Sequence, residues 1–185
     1  MKNIYFLFLV SFLIGSTILG NSKNTYANSD IGVAVVEVQL IMRESLAARS
    51  IHTQIEETRS IYEAEVLREE TRLQELKQEI ARQRSLLEPD AFTKRTRNFE
   101  SQVTEHKRNV RERRRVLDKA YEGGVRQLQI TLAKIIAEIA RDKGVLMVLP
   151  ASTILFGERS LLLTSEVLST LNERLPAITL TIPSN

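Results

Sequence analysis

Residues 46–88 contain neither glycine nor proline, and neither does the stretch from 91 to 122. Glu, Gln, Arg, Leu and Ala dominate both, and all but the few β-branched residues are good helix formers. Between them lies Glu88-Pro89-Asp90. Pro89 cannot continue the first helix without strain, and Asp90 can cap the second. The second helix, from about Ala91, passes through Gly123-Gly124 to Asp142, where Lys143-Gly144 ends it with a late cation and a glycine cap. Two such helices joined by a three-residue break must run antiparallel. At ~1.5 Å per residue they form arms of roughly 65–75 Å. A compact domain of this mass is only ~35–40 Å across. The hairpin must therefore project from the body that the rest of the chain forms.

The apolar positions are too few for anything but a mutual seam. In the first helix they are Ile51, Ile55, Tyr62, Val66, Leu73, Leu76 (or Ile80) and Leu87. In the second they are Phe92, Phe99, Val103, His106, Val110, Leu117, Tyr121, Leu128, Leu132, Ile135 and Ile139. The steps are mostly four and seven, or three, four and seven, close to a coiled-coil heptad. One narrow stripe per helix seals the pair and nothing more.

The segments flanking the hairpin read as strands. Residues 31–38 are rich in β-branched residues, with both faces apolar, so both want burial. A short helical turn follows over 39–44, and Ser45 can cap the long helix. After the hairpin, 145–149 reads as a second buried strand and 153–156 as a third. Residues 161–163 offer a brief pairing, and Thr164 or Ser165 can cap a short helix to about Arg174 with Val167, Leu168 and Leu171 on one side. Residues 178–182 form an alternating tail with no assignable partner. The expected fold is α+β, a small β-sheet body (28–45 and 143–185) carrying a long projecting antiparallel helical hairpin (46–142) with its tip near 88–90. A sheet this small, covered by one short helix, leaves an apolar side open. Symmetric self-association is the economical cover, as a dimer or a trimer. The residues expected to serve it are Ile31, Val33, Val35, Val36, Val38, Leu146, Val148 and Ile154.

The N-terminus has the layout of an export signal. Lys2 precedes an apolar run from Ile4 to Leu19, and Thr25-Tyr26-Ala27 offers small residues for cleavage after Ala27. The run is shorter than the ~20 residues of a spanning helix, which weighs against an uncleaved anchor. The mature chain, 28–185, is then expected outside the cytoplasm, where ATP is normally absent. Formal charge falls from +3 to +1 once residues 1–27 are removed, so global attraction to polyanions is weak. With no cysteine, thiol catalysis, zinc fingers and iron–sulfur clusters are excluded. The two histidines, His52 and His106, have no metal spacing, and no phosphate-binding glycine loop or nucleophile–base set occurs. Neither enzyme activity nor a cofactor is expected. The basic run 107–115 resembles a DNA-binding helix, but Glu112 sits where a small residue must approach DNA, and export removes the DNA.

Three segments together resemble a family. Residues 31–45, IGVAVVEVQLIMRES, are similar to the start of mature Skp/OmpH periplasmic chaperones. Residues 145–156, VLMVLPASTILF, are similar to that family's returning strand pair, and 163–172, LTSEVLSTLN, to its closing helix. The likeness runs from residue 30 to about 174. Each motif is weak; their order around a long hairpin is the specific signal. The resemblance implies a homotrimer with a central β-body, whose three hairpins surround a cavity that holds unfolded outer-membrane proteins without ATP. The near-neutral mature chain departs from the family's often basic charge, and the tail Pro176–Asn185 runs past its usual end. The competing expectation is a structural coiled coil that tethers partners in the cell envelope.

Charge is uneven along the arms. Residues 56–79 carry eight acidic and four basic side chains, whereas 82–115 carry eleven basic and five acidic. The tip therefore bears Arg82, Arg84, Lys94, Arg95 and Arg97, which could steer acidic client segments or make transient contact with lipid headgroups. The alternative is pairing with the acidic helix opposite, with 111–115 beside roughly 58–64. Ile61, Leu67, Leu86, Phe92 and Val116 are candidates for weak client contacts. Gly123-Gly124 costs roughly 2 kcal/mol of helix stability relative to alanine. The pair reads either as a hinge that lets the arms splay or as a close-packing site.

Overall fold

In the computed structural model, residues 32–183 are described; the segment read as an export signal, and Ile31, lie outside them. Strand β1 (Val33–Val36) leads into α1 (Val38–Glu44), α2 (Leu46–Gln83) and α3 (Pro89–Asp142). Strand β2 (Met147–Pro150) follows, then two 3-10 turns and α4 (Thr164–Arg174). β1 and β2 pair in parallel, Val33 opposite Met147 and Val36 opposite Pro150. Parallel strands need a long crossover, and here the crossover is the entire hairpin. Val35 is also bridged to Leu162, so the brief pairing expected at 161–163 forms.

Ser45 ends α1 in extended backbone and caps α2, its Oγ accepting from the Ala48 amide at 3.2 Å. The Asn172 side chain accepts from the Leu46 amide at 2.8 Å and so fixes α4 to the start of the arm. Gly144 has φ +66° and lets the chain leave α3, as expected of a glycine cap.

The core sits at the root of the hairpin. Val36, Ile41, Ile51, Leu128, Ile135, Val167 and Leu171 are fully buried there, with Ile178 of the tail. Further out only Leu73, Ile80 and Leu117 are well buried, and the remaining stripe residues are half-buried. Two helices alone cannot seal a seam that a sheet and a third helix seal at the root.

Several boundaries differ from expectation. α2 ends at Gln83 rather than near Glu88, because residues 84–88 are spent reversing the chain, with the Leu86 and Leu87 amides donating to the Gln83 carbonyl. Pro89 is the first residue of α3 and Glu88 its cap, so Asp90 lies in the first turn and does not cap. Proline fits there because its missing N–H would be unsatisfied anyway. β1 stops at Val36, since the Glu37 amide turns to the Thr164 hydroxyl at 3.0 Å and Val38 begins α1. That bond also engages Thr164, which with Ser165 lies inside α4; the cap position is Leu163, and no side chain caps the helix.

The second strand begins at Met147 and is not buried. The third strand is absent. Pro150 lacks an N–H, and the Thr153 hydroxyl donates to its carbonyl at 2.8 Å, which turns the chain aside before 153–156 can pair. Tyr121 lies outside the seam, 39% exposed, while Gly124 takes the seam position.

The tail has a definite place. Ile178 donates its amide to Ser50 Oγ at 3.0 Å, and Gln54 binds both the Ile178 carbonyl and the Leu180 amide.

Candidate functional site

The arm surfaces, the tip and the body carry the exposed chemistry. At mid-arm the seam turns polar. Arg113 of α3 reaches Glu65 of α2 at 2.6 Å and lies over the Tyr62 ring. His106 Nε2 stands 3.8 Å from Glu70. Arg72 forms two hydrogen bonds to Glu69 and a third to Gln102 across the seam, at 2.7–2.9 Å. The hydrogen bond from Arg72 holds the Glu69 carboxyl below its ordinary range, with burial opposing it. Glu65, Glu69, Arg72, Gln102, His106 and Arg113 line a cleft of about 490 Å³. The sequence placed 111–115 beside roughly 58–64, and the Arg113–Tyr62 contact has that register.

At the tip, Leu86 is 80% exposed in the reversing turn. Arg82 pairs with Glu79 one turn back, and Arg95 contacts Gln83 across the hairpin. Among the described residues, Arg84, Lys94 and Arg97 have no carboxylate within salt-bridge distance, and all three are exposed. Ile61 and Leu67 are exposed on α2, while Phe92 and Val116 are half-buried on α3. These apolar groups do not converge. Ile61 and Leu86 are separated by most of the outer arm, roughly 1.5 Å for each helical residue between them. The arrangement can make many weak contacts, not one sharp one.

Gly124 and Gly123 differ. A Cβ on Gly124 would come within 2.6 Å of Leu180 Cδ2 and 3.2 Å of Ile51, whereas nothing lies within 4 Å of one on Gly123. The close-packing alternative thus describes Gly124.

On the body, the residues expected at a self-association surface divide. Leu146 is largely exposed, and Val33, Val38, Val148 and Ile154 are partly buried. Val36 corrects the expectation: it is sealed in the chain's own core, whereas Val35, also buried, lines a surface cleft with Leu155, Phe156 and Leu162. Met147, Leu155, Phe156 and Leu162 are exposed instead, Phe156 at 85%. Sequence reasoning assigned most of them to buried strands. Their apolar character signals that they need cover, but not whether their own chain provides it.

Among the described residues, no cluster of His, Asp and Glu has a metal-binding arrangement, and no helix is long and apolar enough to cross a membrane.

The family model described as outer membrane protein (OmpH-like) matches residues 32–171. The chain is also similar in fold to the crystal structure of a candidate outer membrane chaperone (OmpH-like) from Caulobacter crescentus CB15. The TM-score is 0.77 at 14% identity, over 83% of this chain and 91% of that one. No curated protein gives a significant match.

Proposed function

This chain belongs to the OmpH-like outer membrane protein family, and from that membership we propose that it is an ATP-independent periplasmic holdase chaperone. Its clients are unfolded outer-membrane proteins, held between helical arms during transit. The observation that carries this reading is the exposure of Ile61, Leu67 and Leu86 along a charged arm whose seam is already occupied by other residues. Each such group contributes ~1–2 kcal/mol when covered. Several acting together reach useful affinity while each contact exchanges quickly. Neighbouring charges keep the bound segment hydrated, and release needs no nucleotide.

The assembly we propose is a homotrimer built on the exposed body face of Leu146, Met147, Leu155, Phe156 and Leu162. Burying a large aliphatic or aromatic side chain there stabilises association by about 1.5–3 kcal/mol each, before the cost of immobilisation. The free arginines and lysine at the tip steer acidic client segments or touch anionic headgroups. Gly123, with open space around it, is the proposed point of arm flexing.

Native mass spectrometry of residues 28–185, alone and after addition of a urea-unfolded outer-membrane barrel protein, tests the proposal. A trimer that takes up one client and keeps it soluble without nucleotide is expected. A particle that leaves the client to precipitate would favour the structural coiled coil.

A further inference from the structure

The tail lies beyond the residues that the family model matches, and its contacts have a peptide-binding geometry. The Gln54 amide donates from Nε2 to the Ile178 carbonyl at 2.6 Å and accepts at Oε1 from the Leu180 amide at 3.0 Å. Ser50 Oγ accepts from the Ile178 amide at 3.0 Å. One side-chain amide that engages the carbonyl of one residue and the amide two residues on reproduces a rung of strand pairing without a strand. These three bonds touch only backbone, so they do not select sequence.

Selection comes from the alternate side chains. Ile178 is buried in the root core, and Leu180 lies on the bare backbone of Gly124. Ile182 packs at the edge of the same cluster, while Thr179 and Thr181 are exposed. An extended chain points successive side chains to opposite sides, so this groove reads apolar residues at every second position.

We propose that the groove formed by Ser50, Ile51, Gln54 and Gly124 at the arm root is a binding site for extended segments with alternating apolar residues. The chain's own tail occupies it as a tethered competitor. The inference rests on the proposed client class, because strands of outer-membrane barrels alternate apolar and polar residues at this period. A tethered segment acts at an effective concentration in the mM range. Client held in the cavity is concentrated comparably and displaces the tail, whereas dilute peptide does not.

The test uses the full mature chain. A fluorescent peptide of residues 176–185 is titrated against the unsubstituted protein and against Leu180→Asp, which loosens the tail. Saturable binding about tenfold tighter to Leu180→Asp is expected, and adding Gln54→Ala should remove it. Absence of binding to a Leu180→Asp chain of normal helicity would overturn the proposal.

Hydrogen exchange at the Ile178 and Leu180 amides of the unsubstituted protein, with and without an unfolded barrel client, decides the matter independently of any variant. Loss of protection on client addition supports the site. Soluble, bound client with protection unchanged overturns it and leaves the holdase reading standing. A client that precipitates while the peptide still binds Leu180→Asp supports the groove and overturns the holdase reading.

Discussion

Arg113 of α3 lies over the ring of Tyr62 on α2, its guanidinium carbon 4.8 Å from the ring centre, and the same side chain pairs with Glu65. The contact fixes the register of the two arm helices where the apolar seam thins. It is also incompletely satisfied, because the buried Arg113 Nε has no hydrogen-bond partner. Arg113→Met keeps most of the stem packing, removes an unsatisfied donor and leaves a half-exposed Glu65 to water. It should change stability by less than about 1 kcal/mol, whereas Arg113→Ala should cost about 1–2 kcal/mol through lost packing. Urea unfolding of the two variants tests this; equal losses would assign the effect to charge instead.

The two adjacent glycines should respond in opposite ways. Gly123→Ala adds a methyl group in open space and should stabilise α3 by about 0.5–1 kcal/mol. If Gly123 is the flexing point, the same change narrows the distribution of distances between spin labels near the tip. Gly124→Ala forces Leu180 and Ile51 aside. It should release the tail, seen as faster exchange at the Leu180 amide. A tail as protected as in the unsubstituted chain would show that Leu180 moves without undocking.

Acid should loosen the arms from below about pH 4.5. Hydrogen bonds from arginine hold the Glu69, Glu112 and Glu138 carboxyls below the ordinary carboxylate value of 4.5. Folded pKa values below the unfolded ones mean a stabilisation that is present above pH 4.5 and lost as pH falls through the lower folded values. Exposure keeps each effect small. Helicity by circular dichroism should therefore be flat from pH 8 to about pH 5 and decline below it, with a shallower decline in about 1 M salt. A decline beginning above pH 6 would overturn this reading.

The body face can be tested without touching the core. Phe156→Asp and Leu155→Asp alter side chains that the chain itself leaves uncovered. They should dissociate the assembly while far-ultraviolet circular dichroism stays unchanged. Val36→Asp places a charge in the sealed core and should unfold the body, at a cost above about 4 kcal/mol. Sedimentation velocity separates the outcomes, and an intact oligomer carrying Phe156→Asp would move the interface elsewhere.

Client affinity should fall in small steps. Ile61→Ser, Leu67→Ser and Leu86→Ser each remove an exposed contact worth about 1 kcal/mol, or roughly fivefold in affinity. Competition binding with an unfolded barrel protein should find the three losses nearly additive, because the sites are far apart along the arm. One substitution that abolished binding alone would indicate a localized site.

The sequence by itself determined the hairpin. Helix type, antiparallel course, the reversal ahead of Pro89, the Ser45 and Gly144 caps and the seam all follow from local propensity and from periodicity within one element. Ile51, Ile55, Leu128, Leu132, Ile135 and Ile139 were legible as core because their spacing alone puts them on one face. Tertiary structure decided what depends on a partner distant in sequence. Whether 153–156 becomes a strand depends on a neighbour to pair with, and Pro150 and Thr153 turn it away. Val36 and Leu155 look equally apolar in sequence, yet one is sealed and the other bare, because only the first lies in the core cluster shared with residues of α1, α3 and α4. The role of Gly124 was likewise unreadable until the tail, more than fifty residues later, brought Leu180 against it. Local preferences are encoded within a few turns of chain, but burial depends on which distant surfaces meet, and that is settled only when the whole chain packs.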